Sequence, residues 1–124
     1  MAERKKILVV EDSPMMVRMY RLVLSPHYDL VFAANGAEGL DRAAAETGLD
    51  LLVVDINMPQ MDGIEFVTRL RGELGIGAPV VVSSTETSDH DQAAARTAGA
   101  QAFLPKPWTP EQLLAAVRER LEAA

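Results

Sequence analysis

The chain has 124 residues, a formal net charge of −6 and no cysteine. That length bounds it to one domain, large enough to bury a real core. The composition excludes disulfides and thiolate chemistry, shows no basic stripe of the kind direct nucleic-acid binding needs, and contains no apolar run long enough to cross a bilayer.

Strand-like runs alternate with helical patterns five times. The first strand is expected over 6–10, where Ile7-Leu8-Val9-Val10 follows the charged start Met1 to Lys6. That start leads into a strand and not into a signal-peptide core, so the chain reads as cytoplasmic and without membrane insertion. Ser13-Pro14 then places a cap before a proline at the first helical position, predicting a helix over 14–25. A second strand is expected over 29–33 and a second helix over 36–47, with Gly48 as its stop. The third strand, 50–54, and the fourth, 79–83, contain Leu51-Leu52-Val53-Val54 and Val80-Val81-Val82. Such unbroken apolar runs are the pattern of strands buried on both faces. Helices over 63–72 and 88–98 follow these strands, the latter stopped by Gly99. The last strand is expected over 101–104. The last helix, 110–122, opens on a capping box, Thr109 with Gln112, and presents Leu113, Leu114, Val117 and Leu121 on one face. Five such units predict an α/β fold: a doubly wound five-stranded parallel sheet with five helices, one domain over 1–124 with its core at about 6–122.

Parallel strands gather the residues at their C-terminal ends on one sheet edge, where ligands bind. Glu11 and Asp12 lie just past the end of the first strand, Asp55 of the third, Ser84 of the fourth and Lys106 of the fifth. Singly, each has a bland explanation: a solvated acidic pair, a turn former, a helix cap, a surface charge. Together they predict a cleft holding three carboxylates, a hydroxyl and an ammonium. Two carboxylates about 5 Å apart repel by roughly 3 kcal/mol at an effective dielectric near 20, so three side by side call for a cation. Mg²⁺ takes oxygen ligands and keeps several waters, so Glu11, Asp12 and Asp55 suffice to hold it. Asp55 is the candidate nucleophile, because a carboxylate can accept a phosphoryl group as an acyl phosphate. Lys106 would neutralise a phosphoryl oxygen and Ser84 would hydrogen-bond it.

The strings Val9-Val10-Glu11-Asp12-Ser13, Asp55-Ile56-Asn57-Met58-Pro59-Gln60-Met61-Asp62-Gly63 and Lys106-Pro107 resemble the receiver domain of bacterial two-component response regulators. The resemblance runs from about residue 6 to 122. It implies the flavodoxin-like strand order 2-1-3-4-5 and phosphorylation of Asp55 by a histidine kinase or phosphotransfer protein. It also implies Mg²⁺ on Glu11, Asp12, Asp55 and the backbone carbonyl of Asn57. Ser84 is similar to the switch hydroxyl and Phe103 to the switch aromatic, and Lys106-Pro107 corresponds to a cis peptide. The output implied is a protein target bound at the face of helix 4, strand 5 and helix 5. Gly63 is expected where the loop after Asp55 turns sharply. Asn57 and Glu86 resemble the pair that flanks attacking water in fast chemotaxis regulators, so self-dephosphorylation at short lifetime is expected. Thr85, bulkier than the alanine common there, is expected to crowd the phosphoryl group. Phe103 lacks the hydroxyl of tyrosine and is expected to switch by packing alone.

Other residues read as structural: His27 and His90 as surface or cap residues, Met15, Met16 and Met19 as core filler plus surface, and Trp108 as either packing or a partner anchor. A stand-alone receiver in chemotaxis, motility or a relay is the leading expectation, and Met1 reads as a natural start. The alternatives are a phosphate-independent pseudo-receiver and an N-terminal receiver of a longer regulator. Enzyme readings fit worse. A haloacid-dehalogenase-type phosphatase wants an acid where Asn57 stands, and the phosphate of a flavin would be repelled by Glu11-Asp12.

Overall fold

The computed structural model describes residues 4–58 and 60–122. Five parallel strands, β1 (Lys6–Val10), β2 (Asp29–Ala33), β3 (Leu51–Asp55), β4 (Val80–Ser84) and β5 (Ala102–Pro105), form one sheet in the order β2-β1-β3-β4-β5. The helices between and after them are α1 (Pro14–Leu24), α2 (Gly36–Ala45), α3 (Gly63–Gly72), α4 (Asp89–Ala98) and α5 (Pro110–Glu122). The fold class, strand order and helix count are those expected.

Alternation along the strands builds two cores. Leu8, Val10, Leu52, Val54, Val80 and Val82 point to the side covered by Ala43 of α2, Phe66, Val67 and Leu70 of α3, and Ala95 of α4. Ile7, Val9, Leu51, Val53 and Val81 point to the other side, against Tyr20 and Leu24 of α1 and Leu113 and Val117 of α5. Burial on both faces is why these strands carry no polar alternation.

Strands β3, β4 and β5 each lie one residue later than expected. Pro79 has no N–H to give the ladder, although its carbonyl accepts from Leu52 N–H at 2.9 Å. Asp50 and Gln101 use their side chains on strand starts: Asp50 Oδ2 accepts from Lys6 N–H at 2.8 Å and Gln101 Oε1 from Val80 N–H at 2.8 Å. In consequence Asp55 and Ser84 are the last residues of their strands and not the first beyond them, and Asp55 pairs with Ser83 in register.

Helix starts follow the caps. Ser13 Oγ accepts from Met16 N–H at 3.3 Å, and Thr109 and Gln112 exchange bonds of 3.1 and 2.8 Å as a capping box. Gly99 ends α4 with φ +120°. Gly48 does not stop α2, which ends at Ala45 with Glu46 as its cap.

Candidate functional site

Glu11 and Asp12 leave β1 just before α1, so the N-terminal end of α1 faces the same edge as the end of β3. Glu11 and Asp55 are buried, at 2% and 6% exposure, and Asp12 is exposed. Oxygens from all three lie within 4.8 Å of one another. Lys106 reaches in from the end of β5. Its Nζ lies 2.9 Å from Glu11 Oε1 and 3.5 Å from Asp55 Oδ1. Two main-chain bonds frame the cleft: Glu11 N–H donates to Ala33 O and Lys106 N–H to Ser84 O, both at 2.9 Å. The Lys106-Pro107 peptide is cis, as the resemblance implied.

Burial raises the Glu11 carboxyl above its ordinary range. The hydrogen bond from Lys106 opposes this shift, and the charge of Asp55 adds to it. A divalent cation among these oxygens would relieve both the desolvation and the like-charge cost. The donor set is all oxygen, which suits a hard cation such as Mg²⁺.

Ser84 is buried at the end of β4. Its Oγ accepts from Glu86 N–H at 2.9 Å and from Asn57 Nδ2 at 3.5 Å. Asn57 N–H donates to Asp55 Oδ1 at 3.3 Å. The structure therefore brings Glu11, Asp12, Asp55, Asn57, Ser84 and Lys106 to one edge. The side chains of Asn57, Thr85 and Glu86 are exposed around it. Phe103 is half-buried and packs against the α2–α3–α4 core, away from the carboxylates.

Gly63 departs from its expected reason. Its φ is not in the left-handed region. A Cβ there would fall 2.4 Å from the Asp55 carbonyl oxygen and 2.8 Å from Ile56 Cα. Close approach of α3 to the end of β3 requires the glycine, and the signal is lost in a sequence that merely looks turn-like. Pro59, expected in this loop, and Met1 lie outside the described residues.

His27 and His90 are exposed. Trp108 is buried, yet it also lines an apolar groove of about 490 Å³ beside the cleft, with Met15, Met16, Met19, Thr85, Lys106 and Pro107. Sequence reasoning missed Tyr20. It sits in a helical pattern as any core aromatic would, yet its buried hydroxyl feels the charges of Glu11 and Asp55.

A sheet of this order with an acidic, lysine-bearing C-terminal edge is the architecture of a receiver-type signalling module. Residues 7–118 match the response regulator receiver domain, and the chain belongs to that family. It is 38% identical over 113 residues to the transcriptional regulatory protein KdpE of Mycobacterium tuberculosis, covering 90% of this chain and 49% of that protein. It is 38% identical over 117 residues to the response regulator MprA of the same species, covering 94% and 50%. The chain thus spans about half the length of these relatives. Among solved structures, a CheY-like receiver from Methanospirillum hungatei superposes with a TM-score of 0.90 at 28% identity, covering 98% of this chain and 96% of that one. The chemotaxis protein CheY4 of Vibrio cholerae gives 0.89 at 33%, covering 94% and 98%. Receiver domains are signalling modules that interact with histidine kinases. Among the described residues no helix is long and apolar enough to cross a membrane.

Proposed function

We propose that Asp55 accepts a phosphoryl group from a histidine kinase or phosphotransfer protein, with Mg²⁺ held by Glu11, Asp12, Asp55 and the Asn57 carbonyl. The observation that carries this reading is the cluster of three carboxylates within 4.8 Å, two of them bridged by one half-buried lysine. An Asp55 oxygen attacks phosphorus. The bond from phosphorus to the donor nitrogen breaks, and its electron pair leaves with the donor imidazole. Bound Mg²⁺ would offset negative charge on the phosphoryl oxygens. Lys106 holds a second oxygen, and Ser84 turns its hydroxyl toward a third. The donor protein would rest on the apolar groove lined by Met15, Met19 and Trp108, which borders Lys106.

The added charge biases two states that lie within a few kcal/mol. Ser84 moves toward the phosphoryl group, Phe103 repacks, and the α4–β5–α5 face changes for a protein target. Phosphorylation and self-dephosphorylation are the only chemistry proposed; Asn57 and Glu86 tune the latter, and Thr85 limits access.

The test is intact mass after incubation with a small phosphodonor and Mg²⁺, beside Asp55→Asn. A Mg²⁺-dependent phosphoryl adduct absent from the variant is expected. Folded wild-type protein that stays unmodified would establish a phosphate-independent module instead.

We place the domain, residues 1–124, in the cytoplasm, acting as a stand-alone receiver in chemotaxis, motility or a relay, without direct contact to nucleic acid. The 33% identity to the chemotaxis protein CheY4, of which this chain covers 98%, supports that setting. The relatives named as transcriptional regulators, of which the chain spans about half, favour a second one: the receiver of a longer regulator. An immunoblot of source cells with an antibody to this domain separates the two. A band at the mass of 124 residues supports the first, and a much heavier band the second.

A further inference from the structure

Three buried polar atoms lie beneath the acidic cleft, and none has a hydrogen-bond partner among the described residues: Tyr20 Oη, Ser83 Oγ and Trp108 Nε1. Tyr20 is 1% exposed, Ser83 0% and Trp108 8%. The three belong together. The Tyr20 and Trp108 rings sit 5.1 Å apart at 47°; Ser83 and Trp108 lie near enough to the Tyr20 hydroxyl to oppose its upward shift as weak partners, although no contact among the three reaches hydrogen-bond geometry. Ser83 pairs in register with Asp55, on the α1–α5 side of the sheet. Buried polar atoms in native proteins are almost always satisfied, by protein or by ordered water. A single internal water needs two to four polar partners, and this triad supplies three. Trp108 Nε1 can only donate, whereas the two hydroxyls both donate and accept. Burial, reinforced by the charges of Glu11 and Asp55, holds the Tyr20 hydroxyl well above its ordinary range, so it keeps its proton.

Each member is linked along the chain to a cleft residue. Ser83 precedes Ser84 on β4. Trp108 follows Lys106 by two residues. Tyr20 is on α1, which starts directly after Glu11-Asp12-Ser13. We propose that Tyr20, Ser83 and Trp108 hold one internal water beneath the cleft, and that this unit positions Ser84 and Lys106 for phosphoryl transfer. The positioning half rests on the phosphoacceptor reading above; the water site does not. None of the three touches the phosphoryl group, so they are positioning residues, and the catalytic groups remain those at the edge. Loss of a supporting hydrogen bond behind a site typically costs about 10- to 100-fold in activity.

The chain has one tryptophan, so its indole N–H gives a single NMR cross-peak. In unphosphorylated wild type that proton is expected downfield, with a cross-relaxation peak to water. Tyr20→Phe and Ser83→Ala should each move it upfield. Each should also lower the rate of adduct formation by about tenfold at saturating Mg²⁺, with Mg²⁺ affinity within about twofold of wild type. The double variant should be no slower than either single one, because one unit is lost once. If Tyr20→Phe fails to fold, Ser83→Ala carries the same test. An unmoved indole resonance, or one with no water contact, overturns the water site. A moved resonance with an unchanged adduct rate overturns the positioning role. Wild type that forms no adduct refutes the phosphoacceptor reading and the positioning role together, while the resonance still decides the water site.

Discussion

Replacing Lys106 with methionine keeps the apolar stem and removes the ammonium that bridges Glu11 and Asp55. At an effective dielectric near 20, unit charges 2.9 Å apart attract by about 6 kcal/mol and those 3.5 Å apart by about 5 kcal/mol. Desolvation of the groups takes back much of this. What survives is set by the charges left behind, since the side chains of Glu11 and Asp55 are only 2% and 8% exposed. Breaking a buried pair by removing one partner costs about 3–5 kcal/mol, a large share of the roughly 5–15 kcal/mol that holds a domain together. The metal-free variant should therefore lose about that much in urea denaturation at neutral pH. Saturating Mg²⁺ should restore most of it, because a cation on Glu11 and Asp55 neutralises the same oxygens. The variant should also bind Mg²⁺ more tightly than wild type, having no ammonium in competition for Glu11. An equal loss of stability with and without Mg²⁺ would refute the reasoning, for Lys106 would then be stabilising the fold through something other than these carboxylates.

Gly63→Ala should lower the melting temperature by an amount equivalent to about 1–3 kcal/mol, since its Cβ meets the Asp55 carbonyl at 2.4 Å; an unchanged melting temperature would show that the start of α3 shifts freely. Asn57→Ala or Glu86→Ala should lengthen or shorten the acyl-phosphate lifetime severalfold, read by intact mass over time, and equal lifetimes would remove both residues from dephosphorylation. Stability of the metal-free protein should fall as pH rises from the ordinary carboxyl range through the raised value of Glu11. The folded state holds the Glu11 proton more tightly than the unfolded one, so the stabilisation is complete at low pH and lost above. Glu11→Gln should flatten that slope in urea melts at several pH values, and a slope left intact would assign it to another group.

The legible part of this molecule is the part written in local patterns. Val80-Val81-Val82 and Leu51-Leu52-Val53-Val54 announce strands buried on both faces, and Ser13-Pro14 and Thr109 with Gln112 announce helix starts. Once those elements are placed, parallel topology alone brings Glu11, Asp12, Asp55, Ser84 and Lys106 to one edge. Strand boundaries were less legible because they depend on partners far along the chain. Gln101 lends its side chain to Val80, and Asp50 lends its own to Lys6. Tyr20 was illegible for another reason. A tyrosine at a core position of a helix is indistinguishable from any aromatic filler until Ser83 and Trp108 are seen beside its hydroxyl. Gly63 was read for its backbone freedom, whereas the fold needs it for the space it leaves against Asp55.

The contact between Lys106 and Glu11 has a consequence that the residue types alone do not give. A largely shielded ammonium at 2.9 Å from one carboxylate and 3.5 Å from another offsets one of the three negative charges of the cleft. A divalent cation therefore does not enter a site of three free charges. It would compete with Lys106 for Glu11, so its affinity would be lower than three carboxylates would otherwise provide. The same competition frees the ammonium on the side of the cleft that faces Asp55. On the phosphoacceptor reading, metal binding and the release of Lys106 toward an incoming phosphoryl oxygen are one exchange of partners. That exchange would make the cleft receptive to phosphate only after the cation has arrived, because an anion approaching the metal-free edge meets the exposed Asp12 and a lysine already engaged.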